Sequence, residues 1–127
     1  MKISQAAEKS GLPAKTIRYY ESIGLFKGGR DANGYRNYTD ADTNQMHFLQ
    51  KSRQLGFTLD ECKDLLALYQ NPHRASSSVK SVAENRLQLI DQQIEHLLQM
   101  KTMLSGLVKQ CPGDEGADCS ILEELSK

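Results

Sequence analysis

The sequence predicts a mainly α-helical protein with a small β-wing, built from a winged helix-turn-helix domain, a long coiled-coil helix and a C-terminal loop. Two short helical segments separated by a glycine, the second carrying cations, are typical of a helix-turn-helix. Apolar residues then recur every seven positions along a single long segment, as in a coiled coil. Cys111 and Cys119 enclose a loop of turn-forming and acidic residues after that segment. The expected domain boundaries are 1–70, 71–75 (a linker), 76–110 and 111–127.

The net charge of the 127 residues is zero, but charge is unevenly distributed along the chain. Residues 1–58 hold nine Lys/Arg against five Asp/Glu, whereas residues 59–127 hold seven against eleven. A basic front half favours a polyanionic partner, although chance also produces such asymmetry in a small protein. No segment has the roughly 18–20 apolar residues of a membrane span, and no apolar signal core follows Met1. We therefore expect a cytoplasmic protein without membrane association, whose cysteines serve metal or redox roles.

The first helix is predicted to begin at a Ser4 cap and to end near Ser10, because Gly11 is a natural break. A second helix is predicted to begin at Pro13, since proline is well tolerated in the first turn of a helix. It continues to about Ser22. This order of helix, glycine turn and helix is the helix-turn-helix pattern.

The second helix has one apolar face. Ile17 and Tyr20 lie three residues apart and are expected to face the core, which turns its polar side chains outward. In a helix-turn-helix such side chains reach bases and phosphates in the major groove. A plain two-helix hairpin with a solvated basic face has the same spacing. The side chains expected to contact DNA from this helix are Lys15, Thr16, Arg18 and Tyr19.

The next segment predicts a small hairpin, or wing. Asn33-Gly34 favours a tight two-residue turn, in which both central residues have positive φ. Arginine binds phosphate through its fork of donors, and tyrosine hydroxyls add neutral hydrogen bonds. Such contacts position a protein on DNA without reading the sequence. The wing residues expected to contact DNA are Arg30, Tyr35, Arg36 and Tyr38.

Two further helices are predicted before the coiled coil. Thr39 or Asp40 can cap a third helix. Thr58 and Glu61 predict a capping box at the start of a fourth. Cys62 lies on the apolar stripe of this fourth helix, so we expect it to pack in the core and not to bind an ion.

The long helix at 76–110 carries an apolar seam that one chain cannot bury against itself. At the usual rise a helix of this length extends for roughly 50 Å, and only 75 residues precede it to pack along it. Two copies side by side would bury the seam, so we expect a homodimer. The seam allows a parallel or an antiparallel pair. Its members are Ala83, Leu87, Ile90, Ile94, Leu97, Leu104 and Val108.

The two cysteines of the C-terminal loop are separated by seven residues, and Cys119 lies near the start of a short terminal helix. Free amides at a helix start favour thiolate over thiol. Two sulfurs without a nearby histidine are too few for a structural zinc site, whereas soft thiolates select monovalent copper and similar ions. A d¹⁰ monovalent ion accepts two ligands in a line. On spacing alone, a redox disulfide or two unrelated thiols fit equally well.

An ordered set of residues resembles the winged-helix domain of MerR-type transcription regulators. A departure lies at Gly28-Gly29, where many relatives place proline before the wing arginine, which implies a looser wing root. The resemblance implies an antiparallel dimer helix. The matching residues are Thr16-Ile17-Arg18-Tyr19-Tyr20-Glu21, Gly24-Leu25, Arg30, Gly34-Tyr35-Arg36, Tyr38 and Leu55-Gly56-Phe57-Thr58-Leu59.

The loop after the dimer helix resembles the sensor loop of the CueR type, the monovalent-copper branch of that family. Relatives that sense divalent ions carry a further cysteine, supplied by the other subunit, where this chain has Ser76. The resemblance therefore implies a Cu(I) site at Cys111 and Cys119, also open to Ag(I) or Au(I), with the partner's Ser76 nearby. It implies a regulator that holds promoter DNA with RNA polymerase and activates copper efflux and detoxification genes by distorting the promoter spacer.

Two other functions compete with copper sensing. A thiol redox-sensing regulator on the same scaffold is the alternative, because two cysteines can form a disulfide. An enzyme is not expected, since the sequence offers no paired acid and base, no phosphate loop and no nucleophile with a nearby histidine.

Overall fold

The computed structural model describes residues 1–30 and 32–127, and this part of the chain is mostly helical, as predicted. It divides into two compact units, Met1–Ala83 and Glu84–Lys127. None of its helices is both long and apolar enough to cross a membrane. The helices of the described residues are α1 (Ile3–Ser10), α2 (Ala14–Ser22), α3 (Asp40–Gln54), α4 (Leu59–Gln70), α5 (Ser76–Gln110) and α6 (Ser120–Leu125).

The capping box of α4 forms as the sequence predicts, and Thr39, one of the two caps predicted for α3, forms a second capping box with Asp42. The Asp42 N–H donates to Thr39 Oγ1 at 3.1 Å, and the Asp42 carboxylate accepts from the Thr39 N–H at 2.9 Å. Thr58 makes the same reciprocal pair of bonds at the start of α4, at 3.1 and 2.9 Å. The Ser4 cap is wrong, because the N-cap of α1 is Lys2, two residues earlier, and the helix begins at Ile3.

Side chains from α1 to α4 and from the segments that connect them build one core in the first unit. Ile17 and Tyr20 are buried, which confirms the inward face of α2. Cys62 is fully buried, as predicted, and burial raises the pKa of its thiol. It is therefore a packing residue held as a thiol. The core comprises Ala6, Leu12, Ile17, Tyr20, Leu25, Phe26, Tyr38, Met46, Leu49, Phe57, Cys62, Leu65 and Leu66.

The wing is smaller than a regular hairpin. Arg30 and Arg36 form an isolated antiparallel bridge, and the Asn37 N–H donates to the Gly29 carbonyl at 3.0 Å. Gly34 has φ 81°, but Asn33 does not have a positive φ, so the predicted turn with two left-handed residues is wrong. The bridge closes a loop longer than two residues, and such a loop reverses direction with one left-handed residue. Asp31, within that loop, lies outside the described residues.

The second unit exposes the predicted seam of α5. Leu97 is 59% exposed and Leu104 is 55% exposed, although both are large apolar side chains. Leu87, Ile94 and Val108 are likewise exposed. An uncovered stripe of this length indicates a protein partner for the helix.

Candidate DNA interface and metal site

The polar face of α2 is available to a ligand. Lys15, Arg18 and Tyr19 are exposed and Thr16 is half-buried, because the opposite face of the helix packs in the core. The four side chains predicted to contact DNA thus lie on one helix and point away from the core. Their role as DNA contacts remains a prediction.

The wing presents three of its four predicted contacts to solvent. Tyr35 is 73% exposed, and Arg30 and Arg36 are exposed as well. Arg30 Nη1 donates to the Gly34 carbonyl at 2.9 Å, which fixes the arginine against its own loop.

The DNA contact predicted for Tyr38 is not available, because its side chain is only 1% exposed and packs in the core. Its hydroxyl is buried too, and it has no hydrogen-bond partner among the described residues. Burial and the neighbouring Glu21 carboxylate raise the pKa of Tyr38 to about 12. In extended chain, residues three apart lie on opposite faces, so the exposure of Tyr35 implies an inward Tyr38. A direct phosphate contact by this hydroxyl is therefore wrong for this structure.

A groove of about 640 Å³ joins the start of α1, α2 and the wing. Among the described residues that line it, three are cations and none is acidic. Lys2, Gln5 and Asn37 were missed by the sequence reasoning, since only the fold brings them beside Arg18 and Arg36. The groove is lined by Met1, Lys2, Ile3, Gln5, Arg18, Tyr35, Arg36 and Asn37.

The second unit brings Cys111 and Cys119 together. Cys111 follows the last residue of α5 and Cys119 precedes the first residue of α6, and their sulfurs lie 3.5 Å apart as free thiols. Gly113 turns the loop with φ 67°. Ser120 Oγ donates to the Leu107 carbonyl at 3.3 Å and ties the start of α6 to α5. The loop therefore holds two half-buried sulfurs side by side.

The surroundings of Cys119 favour its thiolate. The pKa of Cys119 is lowered, first by the backbone N–H of Leu122, then by the Cys111 thiol and the N–H of Ile121. Backbone donors stabilise the anion more than the thiol. This agrees with the prediction made from its position before a helix.

The donor set suits a soft ion that needs few ligands. Within the described part of the chain, no group of three or more His, Cys, Asp or Glu could hold a metal. The 3.5 Å between the sulfurs exceeds the ~2.05 Å of a disulfide. At a metal–sulfur distance of about 2.3 Å, two collinear sulfurs would be about 4.6 Å apart. The pair would therefore have to open by about 1 Å to place one ion between the two sulfurs.

Ser76 begins α5 and is exposed in the first unit. Its expected place beside a partner's cysteines is a prediction about the dimer.

Comparisons with known proteins agree across the whole chain. Residues 1–68 match the family described as MerR HTH family regulatory protein, and residues 43–107 match the family described as MerR, DNA binding. The chain is 50% identical to the HTH-type transcriptional regulator HmrR of Rhizobium leguminosarum bv. viciae, covering 99% of this chain and 98% of that protein. It is 46% identical to the HTH-type transcriptional regulator CueR of Yersinia pestis, and the match covers 99% of this chain and 91% of that protein.

A solved structure extends the similarity to three dimensions. The transcription regulator PbrR691 from Ralstonia metallidurans CH34, in complex with lead(II), superposes with a TM-score of 0.84. It shares 26% sequence identity, and the match covers 98% of each chain.

Proposed function

The chain belongs to the MerR family of helix-turn-helix regulators, and on this premise we propose that it is a copper(I)-responsive transcription regulator. Members of this family are DNA-binding transcription regulators, so the chain is not an enzyme. The observation that carries the proposal is the pair of sulfurs 3.5 Å apart at the end of α5, without a third metal-binding side chain around them. That statement covers the residues that the structure describes.

The donor chemistry supports Cu(I), and equally Ag(I) or Au(I), over divalent ions. Cys111 and Cys119 would hold the ion, which when bound supplies a bond to each sulfur and so links the two sides of the loop. Thiolates select soft ions, and the amides of Leu122 and Ile121 lower the pKa of Cys119 and offset negative charge. The divalent ions prefer more ligands than two sulfurs provide.

In this proposal the regulator binds double-stranded promoter DNA as a homodimer, with RNA polymerase at the same promoter. The polar face of α2 enters the major groove, and Arg30, Tyr35 and Arg36 of the wing hold the backbone. The exposed apolar stripe of α5 supplies the dimer contact. An antiparallel arrangement of the pair follows the family resemblance.

Activation requires that the loop communicate with the DNA-binding unit. Opening the two sulfurs changes the path of the loop, and α6 follows directly from Cys119. Leu122 and Leu125 of α6 are 66% and 74% exposed, so this helix carries an apolar surface that can dock when the loop is ordered. The docked state bends and underwinds the promoter spacer, and copper efflux and detoxification genes are then transcribed.

Anaerobic titration of the reduced protein with Cu⁺, with a competing chelator, tests the site. We expect one tightly held ion per chain, lost in Cys111→Ser and in Cys119→Ser. Cys62→Ser is the matched control, because this thiol is buried in the other unit and should leave the stoichiometry unchanged. Copper-dependent transcription that survives both serine substitutions would contradict the proposal.

A redox switch is the second candidate, favoured by the short distance between the sulfurs. Closing the 3.5 Å between the sulfurs to the ~2.05 Å of a disulfide requires a movement of about 1.5 Å. The same promoter assay separates the two functions. Response to peroxide in the absence of copper, with no tight Cu⁺ binding, would replace the copper proposal by the redox one.

A further inference from the structure

One carboxylate lies inside the basic surface formed by α2 and the wing. Glu21, in the last turn of α2, is 14% exposed, and its Oε2 lies 3.4 Å from Arg36 Nε. Its other oxygen, Oε1, is buried and has no hydrogen-bond partner among the described residues. A carboxylate in such a place carries a desolvation cost that a solvent-exposed polar residue would avoid. The contact with Arg36 is the interaction that offsets this cost.

A small cavity of about 190 Å³ lies beside Glu21. Lys27, Arg30 and Arg36 line it with Glu21, and two glycines complete the lining. Three cations around a single carboxylate would repel one another without it. Through its pair with Arg36, Glu21 offsets part of that repulsion.

We propose that Glu21 is a positioning residue for DNA binding, which holds Arg36 of the wing against the end of α2. This inference rests on the proposed DNA-binding function. Arginine has five N–H donors, and the contact through Nε leaves the rest of the fork to phosphate. Arg36 is 37% exposed, so its side chain is restrained on one side and reachable on the other. Restraint before binding lowers the entropy lost on forming the phosphate contact.

The packing around Glu21 supports the same role. A Cβ at Gly28 would lie 3.0 Å from Glu21 Oε1 and 3.0 Å from Tyr38 Cε1. The missing side chain at Gly28 thus leaves the space that the carboxylate occupies. The wing root, α2 and Tyr38 meet at this point, so the position of Glu21 is set by the core beneath it.

A positioning role of Glu21 and a simple effect of its negative charge change DNA affinity in opposite directions, which makes the inference testable. Removing a negative charge near DNA strengthens binding if only long-range electrostatics matter. Removing the restraint on Arg36, in contrast, weakens DNA binding. Glu21→Gln changes the charge and little else, and Glu8→Gln is the matched control, since Glu8 is exposed on α1 in the same basic half.

Fluorescence anisotropy with a labelled duplex, selected by the wild-type protein from a randomised pool, gives the affinity at several salt concentrations. We expect Glu21→Gln to bind about fivefold more weakly, as for loss of one ordered long side chain, and Glu8→Gln to bind equally or more tightly. The dependence of affinity on salt should become shallower by about one phosphate per chain. A purely structural role would not change that slope. In Arg36→Ala, adding Glu21→Gln should cause no further loss.

Gly28→Ala provides a second variant that keeps every charge, and it should weaken binding in the same direction by pressing on Glu21. Equal or tighter binding by Glu21→Gln, or losses that add in the double variant, would overturn the inference while leaving the proposed function intact. If the wild-type protein selects no duplex at all, the proposed function fails and the inference fails with it.

Discussion

The buried Tyr38 hydroxyl makes the stability of the first unit depend on pH in the alkaline range. Its pKa is raised from 10.0 to about 12 by burial and then by the Glu21 carboxylate. Between these values the folded protein keeps a proton that the unfolded chain has lost. The stabilisation is therefore fully present below about pH 10 and is lost as pH rises to about 12. A shift of this size corresponds to up to about 3 kcal/mol.

Tyr38→Phe removes this dependence while keeping the ring. Urea unfolding of both proteins, followed by circular dichroism at several pH values from neutral to alkaline, gives the free energy of unfolding. At neutral pH the variant should be as stable or about 1 kcal/mol more stable, because a buried hydroxyl without a partner is removed. The difference should grow in favour of the variant as pH rises from about 10. Other groups that titrate there are common to both proteins and cancel in the comparison.

The same variant tests the correction to the DNA interface. Tyr38→Phe should bind the selected duplex with unchanged affinity, because the hydroxyl does not reach the surface. Tyr35→Phe removes the corresponding hydroxyl from an exposed tyrosine of the wing, and it should weaken binding of the duplex. A free-energy difference between wild type and Tyr38→Phe that does not change with pH would refute the account of the buried hydroxyl. Weaker DNA binding by Tyr38→Phe would restore the contact predicted from the sequence.

Three further predictions concern the other elements. Iodoacetamide should alkylate Cys119 at a lower pH than an ordinary thiol. In Cys111→Ser the reaction of Cys119 should require a higher pH than in the wild type, because Cys111 helps to lower the pKa of Cys119. Equal rates of alkylation of Cys119 in both proteins would contradict this. Leu97→Lys should shift the protein from dimer to monomer in light scattering, since it places a charge in the exposed seam, whereas the polar exchange Gln99→Lys should not. Cys62→Ala should lower the free energy of unfolding by about 1–2 kcal/mol through the cavity it leaves, with no change in Cu⁺ stoichiometry.

The helices could be predicted because their signals are local. Thr58 and Glu61 are three residues apart and bond each other at the start of α4, so the sequence contains the whole cap. The cap of α1 was predicted wrongly, because two local signals compete at the start of this helix. A serine at position 4 is a good cap, but α1 begins earlier and uses the Gln5 side chain, which accepts from the Lys2 N–H at 3.2 Å.

The surface residues depended on contacts between distant segments, and here the sequence was a weaker guide. Tyr35 and Tyr38 have similar side chains, and only the alternation of the chain distinguishes the exposed one from the buried one. The meeting of Glu21 with Arg36 joins positions far apart in the sequence. The residue types and spacing of Glu21 and Arg36 do not predict this contact, because the fold alone brings the end of α2 to the wing.

The carboxylates of the C-terminal loop bear on the proposed choice of a two-sulfur ion. Asp114 Oδ1 accepts from the Gly116 N–H at 2.8 Å, so this side chain shapes the turn between the cysteines. A carboxylate engaged in its own turn is a poor further ligand, and carboxylate oxygen is a hard donor in any case. The loop thus brings two soft donors together and directs one of its carboxylates, Asp114, to the backbone. An ion that needs only two sulfurs loses nothing by this arrangement, whereas Zn²⁺ would still require ligands from outside the pair.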